Sequence, residues 1–200
     1  MLNPYATFDC LAIGVRLQDR YGNVSVGEFH LFAYLSCLLS LYRKCPASEW
    51  QYKFISSPTG SPFSQAIAEV IDEMERLGLL AHDNEIGFLI TDAGMKMLQS
   101  LITLSTLHTR EEFIDGACSS TMSLPPGLIK TAVSQETFLH NAIHLNSTRY
   151  LLPDGRVSEM YDEFAAISEA IGVDVHDLAV PAVIWLSYML ECSGGKKYAS

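Results

Sequence analysis

The stretch from Ser25 to Lys44 constrains the fold more than any other. Ser25-Val26-Gly27-Glu28 has the S-x-x-E form of a capping box, in which the two side chains satisfy orphan N–H groups at a helix start. Phe29, Leu31, Phe32, Leu35, Leu38, Leu39, Leu41 and Tyr42 then cover nearly the whole circumference of the helix, and charge returns only at Arg43 and Lys44. A helix apolar on all sides belongs in the middle of a domain or against a partner.

The elements around it follow from spacing. Leu11, Ile13, Val15 and Leu17 alternate with Ala12, Gly14 and Arg16, which suits a half-buried strand, although a short helix accommodates the same residues; Asp19 to Asn23 reads as a turn. Trp50, Tyr52 and Phe54 at period two predict a strand from Trp50 to Ile55, followed by a Ser-, Pro- and Gly-rich loop to Pro62. Ser61 is placed to cap a helix with Pro62 at its first position, and Phe63, Ile67, Val70, Ile71, Met74 and Leu77 form its apolar stripe. Gly78 stands where a helix-ending glycine belongs. Leu79 to Thr91 reads as a β-hairpin turning at Asp83-Asn84-Glu85, and Thr91 caps a further helix ending near His108.

In the C-terminal half, a helix is expected over Leu124 to Ile143, entered through Pro125-Pro126. Short strands at Arg149 to Leu152 and Arg156 to Val157 would flank a turn at Asp154-Gly155. Ser158 would cap a helix carrying Tyr161, Phe164, Ala165, Ile167 and Ile171 and stopping at Gly172. A last helical segment starts near Asp174, is interrupted or restarted by Pro181, and runs to Cys192.

The expected fold class is thus mainly α with small β. A strand or helix plus a winged helix-turn-helix domain would occupy residues 1–107, a mainly helical region 108–193, and a polar tail 194–200. The order helix, strand, helix, hairpin, helix over residues 25–107 is that of a winged helix. The text "IDEMERLGLLAHDNEIGFLITDAGMKML" (Ile71 to Leu98) resembles that superfamily as well, in its helix ending, wing and Thr-capped helix start. Such a resemblance speaks to fold and hardly to function.

Charge narrows the function. The chain carries a net charge of −10, with 48% hydrophobic and 18% charged residues, the composition of a folded globular protein. Nucleic-acid affinity comes from Lys and Arg neutralising phosphates, so an acidic chain starts at a disadvantage. The helix that reads the major groove in a winged helix corresponds to Phe63 to Leu77. That helix and the hairpin bear Glu69, Asp72, Glu73, Glu75, Asp83 and Glu85 against Arg76 alone, with Gln65 nearly the only base reader. Direct DNA binding by this surface is therefore not expected.

Five cysteines (Cys10, Cys37, Cys45, Cys118 and Cys192) are widely spaced, with no C-x-x-C pair, and read as free thiols in a reducing compartment. Met1 to Cys10 has no signal-peptide pattern, and the charge-free run Leu178 to Leu190 falls short of the about 20 residues of a membrane span. A soluble, cytoplasmic protein without membrane association is expected.

No constellation calls for catalysis, so the expectation is of no enzyme, no catalytic residues, no cofactor and no metal. His140 and His144 stand at i, i+4, but Asn141 replaces the Glu of an H-E-x-x-H motif and no third ligand follows. Thr59-Gly60-Ser61-Pro62 is explained by a turn and a cap as well as by an anion loop. Gly194-Gly195-Lys196 lacks the rest of a P-loop, and Glu111, Glu112 and Asp115 suit a helix start.

The candidate partner-binding residues are Phe29, Phe32 and Leu35 on the first apolar helix and Trp185, Tyr188 and Met189 on the last, since aromatic and Met side chains are favoured at interface centres. Each helix alone also suits a central core element. An apolar first helix, "WQYKFI" (Trp50 to Ile55), "TGSPFSQAIAEVIDEMERLGLL" (Thr59 to Leu80) and a wing resemble the small middle component of three-component ABC-ATPase (Lamassu-like) bacterial defence systems. The accessory winged-helix subunits of SMC–kleisin complexes are broadly similar. The resemblance, which fades after about Leu107, implies a non-catalytic subunit that binds an SMC-like ATPase and helps restrain an effector nuclease. The alternative is a dimeric winged-helix transcriptional regulator contacting DNA through Arg43, Lys44 and Lys53; a homodimer is compatible with either reading.

Overall fold

The computed structural model describes residues 3–57, 59–83, 87–145, 148–172 and 175–195. It is mainly helical, with two small antiparallel sheets among the described residues. Of the strand and the short helix that the spacing of Leu11 to Leu17 allows, the structure has the helix, α1 (Pro4–Tyr21), longer than that segment alone. Asn3 Oδ1 accepts from Tyr5 N at 3.0 Å and Ala6 N at 3.1 Å, Pro4 takes the first turn, and Gly22 at φ 86° ends the helix. The alternation misled because the intervening Ala12 and Gly14 are buried too, as are Phe8 and Cys10. A tightly packed helix can use small residues as a strand uses outward polar ones.

Helix α2 (Val26–Tyr42) starts at the capping box, with Ser25 N donating to Glu28 Oε2 at 2.7 Å and Glu28 N to Ser25 Oγ at 3.3 Å. Every residue from Phe29 to Leu41 is buried, because α1, α3 (Gln65–Arg76), α5 (Ser105–Ser119), α8 (Asp154–Ile171) and α9 (Ala179–Gly195) all pack against it. The hairpin of β3 (Leu80–Asp83) and β4 (Gly87–Ile90) pairs Leu80 with Ile90 and Asp83 with Gly87. Asn84, Glu85 and Ile86 lie outside the described residues. Val24, in the link between α1 and α2, bridges Phe88 through bonds of 3.0 and 2.9 Å, and Gln18 Oε1 accepts Ile90 N at 2.6 Å.

Trp50 to Ile55 is not a strand. Ala47–Trp50 forms a 3-10 turn, Gln51 adopts a left-handed φ of 70°, and the Trp50 carbonyl accepts from Arg110 instead of a ladder partner. Only β1 (Ile55–Ser56) pairs, with β2 (Pro62–Phe63), so Pro62 is not the first residue of a helix; α3 begins after Ser64. Gly78, at φ 70°, follows α3 as expected.

Helix α4 (Asp92–Ile102) is capped by Thr91, whose Oγ1 accepts Gly94 N at 3.2 Å. It stops short of His108, which lies in α5, and the boundary expected at 107/108 therefore falls inside one helix. The hydrophobic core is continuous across that point, from Phe8 and Phe29 to Phe113 and Trp185.

The helix expected over Leu124 to Ile143 divides into α6 (Pro126–Ser134) and α7 (Thr137–Leu145), because the Glu136 carboxylate turns back to accept Phe138 N and Leu139 N at 3.0 and 3.1 Å. Tyr150 bridges Ile55, but Asp154-Gly155 opens α8 instead of forming a turn, so Arg156, Val157 and Ser158 are helical. Gly172, at φ 69°, ends α8. Pro181 lies in the first turn of α9, where its missing N–H is tolerated, and Gly194 and Gly195 belong to this helix and not to a tail. Asp174 and Lys196 lie outside the described residues.

Candidate functional site

Five of the six residues expected at a partner interface are core residues. Phe29, Phe32, Leu35 and Trp185 are fully buried and Met189 nearly so, which corrects that expectation: helices apolar all round sit at the centre of this molecule. Trp185 packs against Phe164 with ring centroids 6.3 Å apart. Tyr188 differs, being 54% exposed. It shares the outer face of α9 with Val180 (40% exposed) and Ile184 (38%), eight and four residues back. Met122 and Leu128, also exposed, stand on the turn after α5 and on α6, two elements packed beside α9. Sequence reading missed Val180 and Ile184, although the i, i+4, i+8 spacing with Tyr188 was there to be seen.

The opposite character appears on α3. Ile67, Val70, Ile71 and Met74 face inward, leaving Gln65, Glu69, Asp72, Glu73, Glu75 and Arg76 outward. Gln65 Nε2 donates to Glu69 Oε1 at 3.0 Å, and Arg76 is engaged by Glu73. His82 Nε2 lies 3.3 Å from Glu75, and Asn23 donates to Asp83 at 3.2 Å. Gln65 and Arg76 are therefore both held by neighbouring carboxylates.

Two ion pairs are buried in the core. Arg110 donates to Asp9 through Nε at 2.5 Å and Nη2 at 2.7 Å, and its guanidinium lies 3.6 Å from the Trp50 ring centroid, while Tyr52 donates to the same carboxylate. Burial opposes the Arg110 charge, and Asp9 more than offsets it, holding the guanidinium above its usual range. Burial also pushes the Tyr52 phenol well up. In the second pair, Arg156 Nε donates to Glu136 at 2.8 Å and Nη1 to Glu159 and Glu163 at 3.0 and 2.8 Å. Burial pushes the Glu136 carboxyl up while Arg156 pulls it down. In both, the buried guanidinium faces a buried carboxylate, so each charge is compensated where it is desolvated.

The other candidates are dispersed. Burial pushes the Cys118 thiol up to about 12 and those of Cys10 and Cys37 higher as well, so these are packing groups and not nucleophiles. Glu111 and Asp115 hold Arg16 at 3.1 Å each. His140 and His144 share α7, and among the described residues no group of three His, Cys, Asp or Glu is placed to hold a metal. Thr59, Gly60 and Ser61 lie in the turn between β1 and β2 and Pro62 opens β2, with Ser57 Oγ accepting Ser61 N at 3.1 Å.

The cations named for DNA contact each have their own surroundings. Arg43 donates to the Val175 carbonyl at 2.7 Å, Lys44 is exposed at a left-handed φ of 61°, and Lys53 lies with its ammonium 5.1 Å from the Tyr150 ring centroid. Lys53 belongs to a half-open groove of about 870 Å3 between the Pro46–Phe54 segment, Tyr150–Leu152 and the first turns of α8.

Compared with family models, curated proteins and solved structures, the chain has no match in any of the three. No helix among the described residues is long and apolar enough to cross a membrane.

Proposed function

We propose that this chain is a non-catalytic adaptor subunit of a multiprotein complex, built on a winged-helix arrangement and seated on its partner through the outer face of α9. The observation that carries the reading is the exposed stripe Val180, Ile184 and Tyr188. Single exposed apolar residues are ordinary, but a stripe aligned on one helix, with Met122 and Leu128 on adjoining elements, has the composition of an interface.

The winged-helix reading rests on α1, the Val24 bridge to β4, α2, α3 and the β3–β4 hairpin in that order, with α1 as the first helix of the unit and not α2. The acidic face of α3 supports a domain turned from DNA toward protein, because each carboxylate near a phosphate would repel it. The partner proposed is an SMC-like ABC ATPase of a Lamassu-like defence system, with an effector subunit in the same assembly; this rests on the resemblance between Trp50 and Leu80 and on the absence of a closed catalytic constellation among the described residues.

The test is co-expression of the tagged chain with its chromosomal neighbours, followed by mass spectrometry of what stays bound. Stoichiometric recovery of an ATPase of this type is the expected result. Recovery of the chain alone as a dimer would overturn the reading.

A further inference from the structure

We infer that the groove between the Pro46–Phe54 segment and α8 binds a nucleotide, with Tyr150 as the stacking platform and Lys53 as the phosphate contact, the exposed Arg149 adding positive charge from the neighbouring position. The groove, about 870 Å3, falls in the size range of small-ligand sites, and Tyr52, Phe54, Tyr150 and Tyr161 contribute aromatic walls. Tyr150 is 58% exposed. Its backbone is fixed at the groove by two bonds, Ser56 N to the Arg149 carbonyl at 2.8 Å and Leu151 N to the Phe54 carbonyl at 3.1 Å. The exposed ring is therefore presented from an anchored segment.

Charge selects the ligand class. In a chain of net charge −10, the arginines are mostly committed: Arg16 to Glu111 and Asp115, Arg76 to Glu73, Arg110 to Asp9, Arg156 to Glu136. Lys53 and Arg149 are exposed and carry no ion pair among the described residues, and both lie beside Tyr150, one at its ring and the other preceding it in the chain. Two uncommitted cations at an exposed π-face suit a ligand that is planar at one end and anionic at the other. Asp154 on the α8 wall disfavours phosphate there, which sets the anionic end toward Lys53, the cation of the groove lining.

The backbone is bent to make this site. Lys44 (φ 61°) and Gln51 (φ 70°) are the non-glycine residues at positive φ among those described; the first stands two residues before the groove segment and the second lies within it. Such conformations are strained for a residue with a side chain and persist where the surroundings over-determine them.

The shared chemistry, a base carrying phosphate, is offered by a free nucleotide and by a single strand. The site is independent of the α9 interface, so its failure leaves the adaptor reading intact. The experiment uses the full chain and two probes: AMP by calorimetry, and a fluorescein-labelled oligothymidylate by anisotropy at low and moderate salt. Binding of either probe is expected, AMP alone marking a free nucleotide and the oligonucleotide alone a strand. Tyr150→Ala should weaken binding roughly 5- to 100-fold while Tyr150→Phe retains it. Lys53→Gln should weaken binding and, for the strand, reduce the salt slope by about 0.7, whereas Lys96→Gln, on the exposed face of α4, should do neither. Absence of binding by both probes at low salt, or Tyr150→Ala and Lys53→Gln binding as wild type with circular dichroism unchanged, would overturn the inference.

Discussion

Acidification from pH 7 to pH 4 should loosen the junction of α2 and α3 at His30. This side chain is only 4% exposed; its Nδ1 accepts Ser64 N at 3.1 Å and its ring lies 4.8 Å from that of Phe63. Because Nδ1 accepts, the ring hydrogen of the neutral form is assigned to Nε2, which is buried without a partner. Burial lowers the His30 pKa from 6.5 to about 4. Above pH 6.5 the imidazole is neutral in both the folded and unfolded chain, and its contribution to stability is fully present. Between 6.5 and 4 the unfolded chain takes up a proton that the folded one refuses. Stability is then lost at about 1.4 kcal/mol per pH unit, about 3 kcal/mol in all. Urea unfolding followed by circular dichroism at pH 7, 6, 5 and 4.5 measures this, with His30→Asn as the reference. The variant, which keeps an acceptor for Ser64 N but does not titrate here, should be less stable at pH 7 and flatter by about 2 kcal/mol down to pH 4.5. Carboxylates titrate alike in both proteins and cancel in the difference. Equal pH slopes in the two would refute the reasoning.

Four further outcomes are expected. A Cβ at Gly116 would stand 2.5 Å from Leu178 Cβ and 3.0 Å from its backbone carbon, so Gly116→Ala should push α5 from α9 and cost about 1–3 kcal/mol in urea midpoint analysis. Gly127→Ala, with open space around it in α6, should be neutral or slightly stabilising. Asp9→Asn leaves Arg110 buried against Trp50 without its counter-charge and should cost about 3–5 kcal/mol, with a shift in tryptophan emission on the same samples. Ser25→Ala removes half of the capping box of α2 and should lower thermal stability by about 1 kcal/mol, read by calorimetry.

What could be read in advance divides along local and non-local lines. The start of α2, the β3–β4 hairpin, the Thr91 cap and the stops at Gly78 and Gly172 depend on residues within a few positions of each other, and they stand where spacing put them. Trp50, Tyr52 and Phe54 alternate because Trp50 and Tyr52 surround the Arg110–Asp9 pair and Phe54 packs on Tyr34, which are contacts with distant segments. The break between α6 and α7 likewise depends on Glu136 reaching Arg156. Helices apolar all round gave no outward side to name, so Phe29 and Trp185 were drawn to an interface when their place is the core. The groove was illegible because Tyr150 joins Lys53 only through the pairing of Tyr150 with Ile55.

The central claim is that the outer face of α9 seats a protein partner. The most direct measurement compares the wild-type chain with Ile184→Asp and Tyr188→Asp, each co-expressed with the chromosomal neighbours and purified through the same tag. Both side chains are exposed, so the variants should keep the wild-type circular dichroism. The account predicts that a neighbour-encoded protein, held in stoichiometric amount by the wild type, is lost from both variants. Retention of that protein by both, or its absence from the wild type, would contradict it.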